Sequence, residues 1–205
     1  MDPRWRDLQT LAMRQHGLFT AQQAEAVGFS RPSLHYQVRA GFIVRRLRGV
    51  YRFVAYPPGD RDREAELMLW AGERHVVAFC HDTALSYFDL GDALPDKIHM
   101  TVPGRFRPRA PDDVVVHKAE LAAYDIHREG ILRYTNPLRT LLDVIAAAYP
   151  DDQLMAIHRQ SLARGLVRRR DLDPASPQVQ AYVDRHTKAT AQRVSAWLER
   201  VDREG

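Results

Sequence analysis

The segment TAQQAEAVGFSRPSLHYQVRAG, Thr20 to Gly41, is the tightest constraint on what this chain can fold into. Two short helical patterns are separated only by Gly28-Phe29-Ser30, and Gly41 closes the second. Helices this short are marginal alone in water, so each must bury a face against a neighbour. Thr20 and Ser30 each stand where a hydroxyl can accept from a free backbone N–H at a helix start. Pro32 suits a first turn, where no N–H is needed. Ala24 and Val27 supply the apolar face of the first pattern, and Leu34 and Val38 that of the second. At about 100° per residue, Pro32, Ser33, Tyr36 and Arg39 then point outward, with His35 at the edge.

What flanks the pair completes a pattern. Upstream, Trp5, Leu8, Leu11 and Ala12 recur at helical spacing, and Gly17 follows as a stop. Downstream, FIVRRLRGVYRF reads as two strands turning at Arg48-Gly49. Three helices with a sharp turn between the last two, then a hairpin, make a winged helix-turn-helix. In that arrangement the third helix is sized for the DNA major groove and the hairpin lies beside it.

Charge agrees with that geometry. No acid occurs between Glu25 and Asp60, a stretch that holds Arg31, Arg39, Arg45, Arg46, Arg48 and Arg52. Residues 1–56 carry 9 Lys+Arg against 3 Asp+Glu, a net of +6; the whole chain has 30 against 26, so the rest is 21 against 23, a net of −2. A basic block confined to one element pair is the footprint of a polyanion binder. On the third helix Arg31, Ser33, His35, Tyr36 and Arg39 are the candidates to face DNA. On the wing, Arg45, Arg46 and Arg48 would neutralise phosphate or enter the minor groove. Winged helices also dock proteins, in which case the same arginines would only be a solvated face.

Tyr56-Pro57-Pro58-Gly59-Asp60 is a stiff breaker, placing a domain boundary between residues 1–58 and 60–205. Beyond it, DREAELMLWAGE reads as a helix, VVAFC as a buried strand and HDTALSYF as a short helix. KIHMTVP, DVVVHKAEL and ILRYT read as strands, and PLRTLLDVIAAAY and DDQLMAIHRQSLARG as helices. One long helix is expected from Gln178 to Val201, striped by Val179, Tyr182, Val183, His186, Thr190, Val194, Trp197 and Val201. Such a stripe is usually core, with docking or dimerisation as the alternative. The fold class is therefore α+β: a winged helix-turn-helix, then a mixed α/β domain.

Motifs of catalysis are absent. There is no P-loop, dinucleotide fingerprint, zincin helix, nucleophile elbow, or nucleotidyltransferase Gly-Ser opening with paired aspartates. Cys80-His81-Asp82 are adjacent in sequence, whereas a catalytic triad is a spatial object, so Cys80 reads as a buried structural thiol. His99 and His117 could meet across a sheet but lack a third ligand, so no metal is expected. No cofactor is expected either. The single cysteine allows no intrachain disulfide and suits a reducing cytoplasm. No apolar run nears the roughly 18 residues of a membrane span, and the N-terminus lacks a signal-peptide core.

Taken in order, GLFTAQQAEAVGFS, GFIVRRLRGVYRF, HDTALSYFDLGDALPDKIHMTVP and NPLRTLLDVI resemble AbiEi-type antitoxins of bacterial abortive-infection (type IV) toxin–antitoxin systems. The resemblance implies a winged helix that represses its own operon through inverted repeats, with dimerisation on DNA possible. It also implies a second domain antagonising a nucleotidyltransferase-like toxin; with no compact acid-x-lysine motif in the strands, no enzymatic activity is expected. By position it carries DNA contact to Arg31, Ser33, Tyr36, Arg39, Arg45, Arg46 and Arg48. Arg139 and Asp143 match its RTLLD signature and read as an internal salt bridge one turn apart. The alternative is a winged-helix regulator whose α/β domain senses a small molecule or another protein.

Overall fold

The computed structural model describes residues 2–72 and 74–204, the side chain of Glu204 excepted. The chain divides into two compact units. The first comprises residues 1–76 with the hairpin tip 128–133, and the second residues 77–127 and 134–205.

The first unit has the winged-helix order α1 (Pro3–Met13), β1 (Leu18–Thr20), α2 (Ala21–Ala26), α3 (Arg31–Arg39), β2 (Ile43–Leu47) and β3 (Val50–Phe53). Asp2 caps α1. Thr20 and Gln23 form a reciprocal capping box on α2: Gln23 N donates to Thr20 Oγ1 at 3.1 Å, and Thr20 N to Gln23 Oε1 at 2.8 Å. Ser30 caps α3. Leu8, Phe19, Ala24, Phe29, Leu34, Ile43 and Phe53 form the core. Val27 and Val38 pack on it only partly buried. Trp5 lies edge-on to Phe29 and Phe53, with ring centroids 5.4 and 5.1 Å away.

Two features escape the sequence pattern. Leu18–Thr20, too short to show alternation, pairs antiparallel with β3 and gives a three-stranded sheet of order β1-β3-β2. Gly17 before it has φ +73°, and a Cβ there would lie 2.3 Å from the Tyr56 ring, so only glycine fits.

The second difference is larger. Helix α4 (Asp62–Ala71), expected to open the second domain, packs on β1, β2 and β3 of the first. The compact unit therefore runs to Val76, past the Pro57-Pro58-Gly59 breaker. That breaker is a sharp turn, not a linker: Arg52 Nη2 donates to Pro57 O at 2.8 Å, and Gly59 N to Asp62 Oδ2 at 2.9 Å.

The second unit contains β4 (Ala78–Phe79), α5 (His81–Phe88), β5 (Ile98–Val102), β6 (Val114–Lys118), β7 (Ile126–Glu129), β8 (Leu132–Thr135), α6 (Pro137–Ala146), α7 (Asp151–Ala163), α8 (Pro177–Asp184) and α9 (Lys188–Glu204), with the β7–β8 tip grouped in the first unit. The sheet order is β6-β5-β4-β8-β7. β4 pairs antiparallel with β5 and parallel with β8, and β5 pairs parallel with β6. The short β7 had no sequence signal.

The expected long C-terminal helix is two helices. Arg185 ends α8 and turns its guanidinium to Asp125 Oδ2 at 3.0 Å. Thr187 then restarts the chain, its Oγ1 accepting from Thr190 N at 3.3 Å. The break lets both halves of the stripe reach one core: Val179, Tyr182, Val194, Trp197, Leu198 and Val201 pack with Leu141, Leu142 and Ile145 of α6. The stripe is interior, not a docking face.

Arg139 and Asp143 form the expected internal pair, Nε to Oδ1 at 2.9 Å, both side chains buried. Arg139 Nη1 also donates to Asp125 Oδ2 at 3.1 Å, and the Tyr182 hydroxyl to Asp143 Oδ1 at 3.1 Å. Burial alone would lower the Arg139 pKa, but Asp143 and Asp125 outweigh it and hold the guanidinium charged. The network ties α6 to α8 and to the turn before β7.

Candidate nucleic-acid interface

Helix α3 presents one face to the core and the other to solvent. Leu34 is the anchor, fully buried. Ser30 Oγ accepts from Ser33 N at 3.3 Å, so the first turn of the helix is fixed by a side chain rather than by fraying backbone. The helical rotation then leaves Arg31, His35, Tyr36 and Arg39 exposed, with Ser33 half-buried. Tyr36 is 67% exposed and carries both a ring to stack and a hydroxyl to donate or accept. Arg31 Nε meets Glu25 Oε1 at 3.2 Å, both well exposed. Such a surface pair is worth about 0–1 kcal/mol, weak enough for a phosphate to displace.

The wing divides its arginines. Arg45 and Arg48 are exposed, and among the described residues no carboxylate lies within ion-pair distance of either, or of Arg39. Arg46 is different. The β2–β3 register runs Ile43↔Phe53, Val44↔Arg52, Arg45↔Tyr51 and then Leu47↔Val50, so Arg46 is the extra residue of a bulge. A bulge re-aims its side chain, and the Arg46 guanidinium is ion-paired with Glu66 of α4. Glu66 is buried and also accepts from Arg63 Nη1 at 2.9 Å. Arg52 is likewise taken, by Asp62 Oδ2 at 2.8 Å. The acids that balance these two arginines lie beyond Asp60, outside the acid-free stretch, which is why a local charge count missed them.

This surface offers guanidiniums, a phenol, a hydroxyl and an imidazole. What it can do chemically is pair with phosphate, and donate to or accept from base edges.

A short helix pair, an exposed second helix and a three-stranded wing define the first unit as a winged helix-turn-helix within an α+β protein. Residues 6–54 match the family described as "Transcriptional regulator, AbiEi antitoxin", so over that segment the chain is similar to AbiEi-type antitoxin regulators. Among solved structures, the RV2827C protein from Mycobacterium tuberculosis is similar in fold, with TM-score 0.56 and 17% identity, over 95% of this chain and 75% of that one. No curated protein matches. Among the described residues no helix is long and apolar enough to cross a membrane.

Proposed function

We propose that the protein is a cytoplasmic, non-enzymatic antitoxin that represses its own operon by binding inverted repeats and antagonises a nucleotidyltransferase-like toxin. The observation carrying the DNA-binding half is the exposed row of His35, Tyr36 and Arg39 on α3, beside two wing arginines, Arg45 and Arg48, that no acid among the described residues pairs with. Tyr36, His35 and Ser33 read base edges. Arg31, Arg39, Arg45 and Arg48 hold phosphates and set the register. Arg46 supports this surface by fixing the wing to α4. On palindromic half-sites two copies would bind, one per half. The antitoxin half rests on the similarity of residues 6–54 to AbiEi regulators, and the toxin-antagonising part is assigned to the second unit.

The test is a full-length Tyr36→Ala/Arg39→Ala/Arg48→Ala variant. It is expressed beside the toxin gene, with both genes driven by foreign promoters. It should lose promoter binding in gel shift yet still rescue growth. Failure of the wild-type protein to rescue under these foreign promoters would mean that protection works through transcription alone, and the protein would then be a winged-helix regulator.

A further inference from the structure

The second unit gathers the histidines that the sequence left apart. His99 on β5 and His117 on β6 meet across the parallel pair, His117 Nε2 lying 3.1 Å from His99 Nδ1. Onto His117 stacks His81, the first residue of α5, with ring centroids 3.8 Å apart and planes 13° from parallel. Cys80, fully buried, precedes it. One ligand atom from each of Cys80, His81 and His117 lies within 4.8 Å of the others.

Two observations mark this group as more than packing. His81 is over nine-tenths buried, yet its Nδ1 has no hydrogen-bond partner. An unmet nitrogen there is costly unless something binds it. His81 also holds φ at +49°, in the left-handed region that a non-glycine residue adopts only when its surroundings compel it. That strained backbone turns the imidazole into the group.

We propose that Cys80, His81 and His117 bind one borderline-soft divalent metal ion, Zn2+ suiting the donor set, with the fourth position left to water. A tetrahedral ion with bonds of about 2.1 Å to nitrogen and 2.3 Å to sulfur spaces its ligand atoms roughly 3.4–3.6 Å apart. Atoms within 4.8 Å of one another would therefore close by at most about 1.4 Å. On binding, the Cys80 thiol gives its proton to solvent and its sulfur lone pair to the metal, while each imidazole donates a nitrogen lone pair. His99 is a positioning residue: its hydrogen bond engages Nε2 of His117 and leaves Nδ1 for the ion, orienting the ring as outer hydrogen bonds orient a ligating histidine. The ion would pin the start of α5 to β6.

Cobalt(II) is the probe, titrated into untagged, chelator-treated full-length protein. One equivalent should bind, giving tetrahedral d–d bands and a thiolate-to-cobalt charge-transfer band. Cys80 is the chain's one cysteine, so that band can come from no other residue. Cys80→Ser should abolish it. His117→Gln should weaken zinc affinity at least 100-fold by chelator competition. His99→Gln should weaken it 10–100-fold with the cobalt band retained. Folding of each variant is followed by circular dichroism, and the wild-type spectrum decides even if a variant fails to fold. Absence of the thiolate band from wild-type protein, or wild-type affinity in a folded His117→Gln protein, overturns the site.

Discussion

Arg52 of β3 and Asp62 at the start of α4 form an ion pair at 2.8 Å, with side chains 12% and 13% exposed. The pair lies across the proline-glycine breaker and closes it. With Arg46–Glu66 it makes α4 part of the winged-helix unit.

Fragment length should expose this dependence. A fragment ending at Gly59 strands Arg52 and bares the sheet face that α4 covers. One ending at Val76 retains both. The longer fragment should unfold cooperatively by circular dichroism and the shorter should not. In the full chain, Asp62→Ala leaves Arg52 largely buried without its carboxylate and should cost about 3 kcal/mol in denaturant unfolding. An unchanged midpoint would show that the pair is decorative.

Helix and wing should separate in binding assays. Tyr36→Ala should cost roughly 1–3 kcal/mol on the operator and much less on random duplex, since base contacts specify. Arg45→Ala and Arg48→Ala should weaken both DNAs about equally, each lowering the salt slope by about 1. Equal losses on both DNAs for Tyr36→Ala would remove α3 from base reading. Arg46→Ala should act chiefly through stability, lowering the thermal midpoint before it lowers affinity.

Trp197 packs in the second core, 8% exposed, with Nε1 donating to Asp151 Oδ1 at 3.2 Å. Trp197→Ala should cost about 3–5 kcal/mol, as large aromatic deletions do. Trp197→Asp should leave the second unit unfolded by near-UV dichroism. A folded Trp197→Asp protein would restore the docking reading of the C-terminal stripe.

His158 lies edge-on to Trp197 at 5.7 Å. Its pKa is lowered by burial first, and then by Arg169 and Arg159. His186 is lowered by burial as well. A depressed folded pKa means that the unfolded chain takes the proton first. Their stabilisation is therefore complete above the unfolded value of about 6.5 and is lost as pH falls toward the folded pKa, at no more than about 1.4 kcal/mol per pH unit for each. Denaturant midpoints measured from pH 7.5 to 5 should fall, and His158→Gln should flatten the decline. A slope identical in the variant would assign the acid sensitivity elsewhere.

Local chemistry was legible from the sequence alone. The caps at Thr20 and Ser30, the anchor Leu34, the exposed Tyr36 and the Arg139–Asp143 pair follow from spacings of three or four residues, which a helix converts directly into neighbours. The basic block was equally plain, because charge is counted, not folded. Tertiary structure decided what depends on contacts distant in sequence. The bulge at Arg46 and its ion pair with Glu66, twenty residues on, join β2 to α4. The C-terminal pattern breaks at Arg185, whose guanidinium reaches Asp125, sixty residues earlier. Cys80, His81 and His117 became neighbours only when β5 and β6 aligned beside the start of α5. Periodicity records which face of an element is apolar; it carries no record of which element will cover that face, and these three outcomes turned on that.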